Sequence, residues 1–303
     1  MIISLTEKQY RDMDKTHVYS SMLKTLHSES ARHLLKERDG EGFEFGKLSH
    51  VFFLEPKRFK DEYMEMPDIP EFSPISAKTK KDYGSGGKGK DYTRTIEWKE
   101  QRKLYLESVG VREENGKFVG INGKHVVSKS DMESLKAIKK NAEKDFPILF
   151  DKYLAGGKAE YSIVNNNFRY VKKDGVDMYI PAKCRLDYVI EFEDHVVVVD
   201  AKSTKCAHPK AFKYDILKYG YDIQEAWYTD MAEAHFGKPV KFLFFVYENQ
   251  FPYNVCFYDT KTADKTGYEW GKEKVDSVIE QAYDVIQGMP KKGYVKQDTI
   301  VSI

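Results

Sequence analysis

The chain has 303 residues, with 49 Lys and Arg against 48 Asp and Glu, so its formal net charge is +1. Apolar residues make up 41% and charged residues 32%, the balance of a globular fold long enough to bury a sizeable core. Near neutrality excludes a crude electrostatic case for nucleic acid, though not a local one, and the longest apolar runs, 196–199 and 242–246, are too short to span a bilayer.

The first seven residues lack the basic-then-apolar layout of a signal peptide. Helices are predicted over 20–33 and 43–54, the second stopped by Pro56. Charge is then sorted along the chain: residues 39–72 carry nine acids against four bases, and residues 78–103 nine bases against four acids. Lys78, Lys80, Lys81, Lys88, Lys90 and Arg94 surround Gly84-Ser85-Gly86-Gly87, the composition of a basic loop over 78–95. Its Gly-Lys run does not satisfy GxxxxGK[ST], and no apolar strand precedes it, so no phosphate loop is read there. A helix over 96–108 and a short strand near 123–127 come next. A helix over 130–145 follows, with Ser130 as N-cap and Glu133 completing a capping box.

From residue 158 the pattern changes to strands, over 159–164, 168–172, 182–192 and 196–202. One long helix over 209–235, strands over 240–247 and 253–258, and a helix over 268–287 complete the chain. This order predicts a mixed α/β fold in a single domain, 1–303. Its parts are a mostly helical stretch over 1–150, a sheet core over 158–260 and a C-terminal helix and tail over 268–303. Cys184, Cys206 and Cys256 are odd in number and form no CxxC, which argues against a disulfide framework or a four-thiolate site. A cytoplasmic location is the corresponding expectation.

The chemistry is concentrated between Arg185 and Lys202. Read as a hairpin with Glu193-Asp194 at its tip, this segment sets Asp187 opposite Asp200, and strand alternation puts Asp200 and Lys202 on one face. Two facing carboxylates repel unless a cation lies between them, and Mg²⁺ is the hard ion that suits such oxygens. Lys202 would then orient or deprotonate a water, or steady charge on a phosphate. The turn is not of the Asn-Gly type, and a two-residue slip would keep the faces while losing the direct opposition. An Asp-x-Lys strand is by itself more often a solvated face with an exposed ion pair. Asp200 differs in ending a run of four valines, where a buried strand opens.

In this order the motifs resemble the PD-(D/E)xK nuclease superfamily, and within it the RecE-type and phage recombination exonucleases, lambda exonuclease and RecB-like nuclease domains included. Gly46 to Pro56, with His50, is similar to a helix bearing a single His and ending in Leu-Glu-Pro, and Glu160-Tyr161-Ser162 to a Glu-x-Ser strand. Arg185-Leu186-Asp187, Asp200-Ala201-Lys202 and the Gln224 to Tyr228 spacing resemble the core acid, the D-x-K and the Q-x-x-x-Y helix. The resemblance implies a restriction-endonuclease-like core with a central mixed sheet flanked by helices. It also implies metal ligation by His50, Asp187, Asp200 and the Ala201 carbonyl. Lys202 would be the catalytic lysine and Glu160 a supporting acid, while Gln224 and Tyr228 would line the site and meet the DNA strand end. On the residues alone, His50 and Tyr228 read more often as core packing, and Glu160 reads as a surface strand residue. Ser20, Ser21 and Arg32 resemble a segment near the 5′ phosphate, with an ordinary helix N-cap as the alternative.

The implied activity is that of a Mg²⁺-dependent exonuclease, with Mn²⁺ able to substitute. It would act on double-stranded DNA ends 5′→3′ and leave a 3′ strand for a single-strand annealing protein or recombinase. By the same resemblance it would work as a homo-oligomer, a trimer or tetramer ring, with no membrane role. The alternatives are a structure-specific or restriction-like endonuclease on this fold and a non-catalytic DNA-end-binding accessory protein.

Overall fold

The computed structural model of the chain describes residues 5–35, 44–72, 93, 95–120, 122–154, 156–173, 175–261, 263, 266–290 and 293. Its first elements are α1 (Glu7–Asp12), α2 (Ser20–Ser28), α3 (Glu44–Leu54), α4 (Pro56–Glu62), β1 (Tyr63–Glu65), α5 (Ile96–Ser108), β2 (Val111–Glu114), β3 (Lys117–Gly120) and β4 (His125–Val127). They continue with α6 (Lys129–Asp145), α7 (Pro147–Leu154), β5 (Lys158–Lys173), β6 (Val176–Glu191), β7 (Val196–Thr204), α8 (Pro209–Tyr219), α9 (Tyr221–Phe236), β8 (Val240–Glu248), β9 (Val255–Tyr258) and α10 (Tyr268–Ile286). The chain divides into two compact units, Met1–Leu54 with Ala137–Ile303, and Glu55–Lys136.

The larger unit is built on a sheet of order β5-β6-β7-β8-β9. β7 and β8 run parallel, joined by the α8–α9 crossover, while the other neighbours are antiparallel. Val196 to Ala201 are all buried, as a central strand covered on both faces requires. On one face Val196, Val198, Phe242 and Phe244 share a core with Leu23 and Leu26 of α2, Trp227 and Met231 of α9, and Val275 and Ile279 of α10. Phe245 on the other face meets Phe53 of α3 and Phe150 of α7, with ring centroids 5.4 and 6.3 Å away. Burial of each such side chain contributes about 1.5–3 kcal/mol. The fold is therefore mixed α/β, with a central mixed sheet flanked by helices.

Three local readings change. The strands over 159–164 and 168–172 are one strand, β5, whose pairing with β6 shifts between Asn165 and Arg169; a bulge mimics a loop in sequence. The helix over 209–235 breaks at Gly220, whose φ of 60° ends α8 in the left-handed region that favours glycine. The helix over 130–145 begins at Lys129, and Ser128 rather than Ser130 caps it, its Oγ accepting from the Asp131 N–H at 3.1 Å.

The smaller unit carries a sheet of order β1-β4-β3-β2, so the part read as mostly helical also contains strands. β2, β3 and β4 each bury a single residue, Val111, Gly120 and Val127, which leaves little alternation to detect. Arg102 of α5 pairs with Glu113 at 2.8 Å and lies 5.1 Å from the Phe118 ring. The basic loop over 78–95, Thr93 and Thr95 apart, and most of the tail after 290 lie outside the described residues. Among those residues no helix is long and apolar enough to cross a membrane.

Candidate active site

The β6–β7 hairpin pairs Tyr188 with Val199 and continues to Glu191 with Val196, the register expected from the sequence. Asp187 follows one step beyond, and its Oδ2 accepts from the Ala201 N–H at 3.0 Å. Asp200 is fully buried at the point where the valine strand ends. The Lys202 ammonium touches its Oδ1, and Gln224 Nε2 donates to its Oδ2 at 2.5 Å. Oδ1 makes this ionic contact without a well-directed hydrogen bond.

His50 reaches the same place from α3. The helix is seated by Ser49, whose hydroxyl lies 2.6 Å from the buried Tyr247 hydroxyl, and one turn later by Phe53 against Phe245 and Tyr247. His50 Nε2 is then 2.8 Å from the Ala201 carbonyl oxygen and Nδ1 3.6 Å from Asp187 Oδ2. An imidazole donating through Nε2 turns the Nδ1 lone pair toward a carboxylate, an arrangement that a proton or a metal cation relieves.

Electrostatics follow from this crowding. Burial, and then the Asp187 charge, raise the Asp200 carboxyl above its ordinary pKa. Burial also works against the Lys202 ammonium, but Asp200 and Asp187 outweigh it and its pKa lies above the usual lysine value. Two carboxylates and the Ala201 carbonyl are hard oxygen donors, and Asp200 Oδ1 among them has the Lys202 ion pair but no well-directed hydrogen bond. These groups fit Mg²⁺ in chemistry, with His50 beside them, although no cluster of three or more His, Cys, Asp or Glu side chains able to hold a metal is formed among the described residues.

The remaining expected residues are distributed unevenly. Tyr228, one turn after Gln224 on α9, places its hydroxyl 3.5 Å from Ser20 Oγ. Ser20 is buried at the start of α2, which is set against β6 because Val18 N–H donates to the Pro181 carbonyl and Lys183 N–H to the Val18 carbonyl, both at 2.9 Å. Ser21 is half-buried and Arg32 is exposed on a 3-10 turn. Glu160 lies between the pairs Ala159–Tyr188 and Tyr161–Leu186, across from Asp187. Its φ of 51° takes it out of strand geometry, and its carboxylate stands 3.8 Å from the Arg185 guanidinium.

Lys24 was not foreseen. Its Nζ donates to Gln224 Oε1 at 2.6 Å and lies 5.3 Å from the Tyr221 ring, which Lys202 approaches at 4.8 Å. Burial and then the Lys202 charge lower its pKa to about 7. The available signal was its place one helical turn after Ser20, on the same face of α2.

A profile of the family described as a PDDEXK-like domain of unknown function (DUF3799) matches residues 9–296. The crystal structure of a Eubacterium rectale protein described as a "putative exonuclease" is similar over 99% of this chain and 96% of its own, with a TM-score of 0.53 and 12% identity. At that identity the likeness is one of fold. A second structure, SSO0001, aligns over 91% of this chain and 89% of its own at 10% identity, with a TM-score of 0.26 that carries no argument. No curated protein matches the sequence.

Proposed function

Since the chain belongs to the PDDEXK-like family DUF3799 and has a PD-(D/E)xK nuclease superfamily fold, we propose that it is a metal-dependent exodeoxyribonuclease that degrades linear duplex DNA from its ends. The observation that carries this reading is the buried Asp200, in contact with Lys202 and beside an Asp187 carboxylate tied to the next backbone amide. Burying Asp200 beside a second carboxylate costs stability, and groups so arranged are kept where chemistry needs them.

Asp187, Asp200 and the Ala201 carbonyl would hold Mg²⁺ or Mn²⁺, and the bound ion would supply charge for a phosphate oxygen and acidify a water. Lys202, kept protonated by the two acids, would donate to a phosphate oxygen or to the attacking water. Gln224 would hold the Asp200 carboxylate from the opposite side. Digestion 5′→3′, a 3′ strand handed to an annealing protein and a ring of three or four copies around DNA rest on the resemblance to phage recombination exonucleases. Ser20, Ser21 and Arg32 would be the contacts to a 5′ phosphate, and Tyr228 a wall of the site.

The test is digestion in Mg²⁺ of linear duplex labelled separately at its 5′ and 3′ ends, beside a covalently closed circle of the same DNA. Wild type should release the 5′ label first and leave the circle intact, while Asp200→Ala and Lys202→Ala release nothing. Nicking of the circle would make the protein an endonuclease. Equal activity in all three proteins would remove the site assignment, and binding of ends without cleavage in either metal would make it an accessory protein.

A further inference from the structure

Lys24 has no part in the set of Asp187, Asp200 and Lys202, yet it makes a 2.6 Å hydrogen bond to Gln224, which itself donates to Asp200. A glutamine carboxamide has two nearly isosteric orientations, one presenting oxygen and the other NH₂ to a given neighbour. Gln224 stands between two partners of opposite demand. In its ionised form Asp200 accepts and cannot donate, and in its protonated form Lys24 donates and cannot accept. With Oε1 2.6 Å from Lys24 Nζ and Nε2 2.5 Å from Asp200 Oδ2, both demands are met. The reversed amide would set oxygen against carboxylate and NH₂ against ammonium, losing both bonds together.

We infer that Lys24 is a positioning residue: it fixes the Gln224 carboxamide so that Asp200 receives a donor on Oδ2 while Oδ1 faces the Lys202 ammonium.

The fold holds Lys24 in place for this. Its stem runs beside Gly220, where a Cβ would stand 3.1 Å from Lys24 Cγ, so the glycine that breaks α8 from α9 also leaves room for the lysine. Tyr221 lies against its ammonium from α9, and the charges that act on it are Asp222 of α9, Asp200 and Lys202 of β7, and Asp187 of β6. The nearest cation, Lys202, is engaged with Asp200 itself and cannot substitute for Lys24 at Gln224. A water in place of the lysine could donate or accept, and the orientation would no longer be dictated. The consequence for metal and turnover rests on the nuclease reading; the amide orientation does not.

The first readout is the Gln224 side-chain NH₂ signal in metal-free protein labelled with ¹⁵N-glutamine, assigned by its absence in Gln224→Leu. It should be shifted and protected in wild type and Lys24→Arg, and move toward free glutamine in Lys24→Met and Lys24→Gln. Lys24→Gln leaves less of a cavity, so it decides the matter if the methionine variant does not fold. Mn²⁺ affinity by calorimetry should weaken roughly 10–100-fold in Lys24→Gln and recover most of that in Lys24→Arg. On end-labelled duplex, kcat should fall while KM for DNA stays the same, and Lys24→Gln should add nothing to Gln224→Leu. An unchanged Gln224 signal overturns the inference, as does a raised KM with kcat retained, which would make Lys24 a phosphate contact. A wild type that binds Mn²⁺ but cuts no DNA overturns the nuclease reading, while the Gln224 signal and the Mn²⁺ affinities still decide the role of Lys24.

Discussion

Asp200 and Lys202 are two residues apart on one strand, so they face the same way, but their pairing does not resemble a surface ion pair. Asp200 is fully buried and Lys202 is 14% exposed, so water does little to screen either. Lys202→Met would leave two carboxylates without their cation, and breaking such a pair from one side costs about 3 kcal/mol. The cost should depend on pH. Asp200 already has a raised pKa, and removal of Lys202 raises it further, so the folded protein holds a proton that the unfolded chain has lost. Stability of the variant relative to wild type should then fall as pH rises from the ordinary carboxylate range toward the raised folded value. Melting of both proteins at pH 5 and pH 8 checks this, and a deficit no larger at pH 8 would contradict it. Asp187 and Asp200 were legible because a hairpin's register follows from where its apolar run lies. Glu160 was legible as a strand residue, but its left-handed backbone was not, since nothing in Glu-Tyr-Ser announces a positive φ. Lys24 was invisible because it acts on Gln224, which is 200 positions away in sequence.

Elements were readable in proportion to the apolar surface they bury. β7 and β8 are runs of valine and phenylalanine, and the sequence places them within two residues of their observed ends. β2 and β3 carry Glu, Lys and Arg on their exposed positions and escape notice. The apolar stripe of α8 and α9 continues across Gly220, so periodicity alone joins two helices that the backbone separates. Where α9 meets α10 the approach is close: a Cβ on Gly271 would lie 2.0 Å from the Asp222 carbonyl oxygen. Glu225 of α9 is buried and accepts from the Thr260 hydroxyl, and burial pushes its pKa from 4.5 up to about 8. Between these two values the folded state binds a proton that the unfolded state does not, so stability must fall as pH rises through that interval. Glu225→Gln keeps the shape and an acceptor oxygen for the Thr260 hydroxyl but cannot ionise. It should melt at nearly the same temperature at pH 6 and pH 8, where wild type loses stability. Parallel losses in both proteins would mean that another group is responsible.

At the scale of the whole chain the near-zero charge conceals an uneven distribution. Nine bases against four acids over 78–103 follow nine acids against four bases over 39–72. A total of +1 offers almost no long-range attraction, so affinity for DNA must come from lysines that touch phosphates directly. Each phosphate neutralised releases counterions and steepens the dependence of log affinity on log salt by about 0.9. Lys88 and Lys90 lie outside the described residues, but their place in the basic block makes them the first candidates. In the cleavage-dead Asp200→Ala background with EDTA, Lys88→Ser with Lys90→Ser should flatten the slope for a duplex end by about 1.8. Lys57→Ser with Lys60→Ser removes the same charge from the acidic block, where both lysines are exposed, and should leave the slope as it was. If both pairs flatten it equally, the binding follows net charge and the sorting along the chain has no role in recognising DNA. If neither does, the phosphate contacts lie on lysines other than these four.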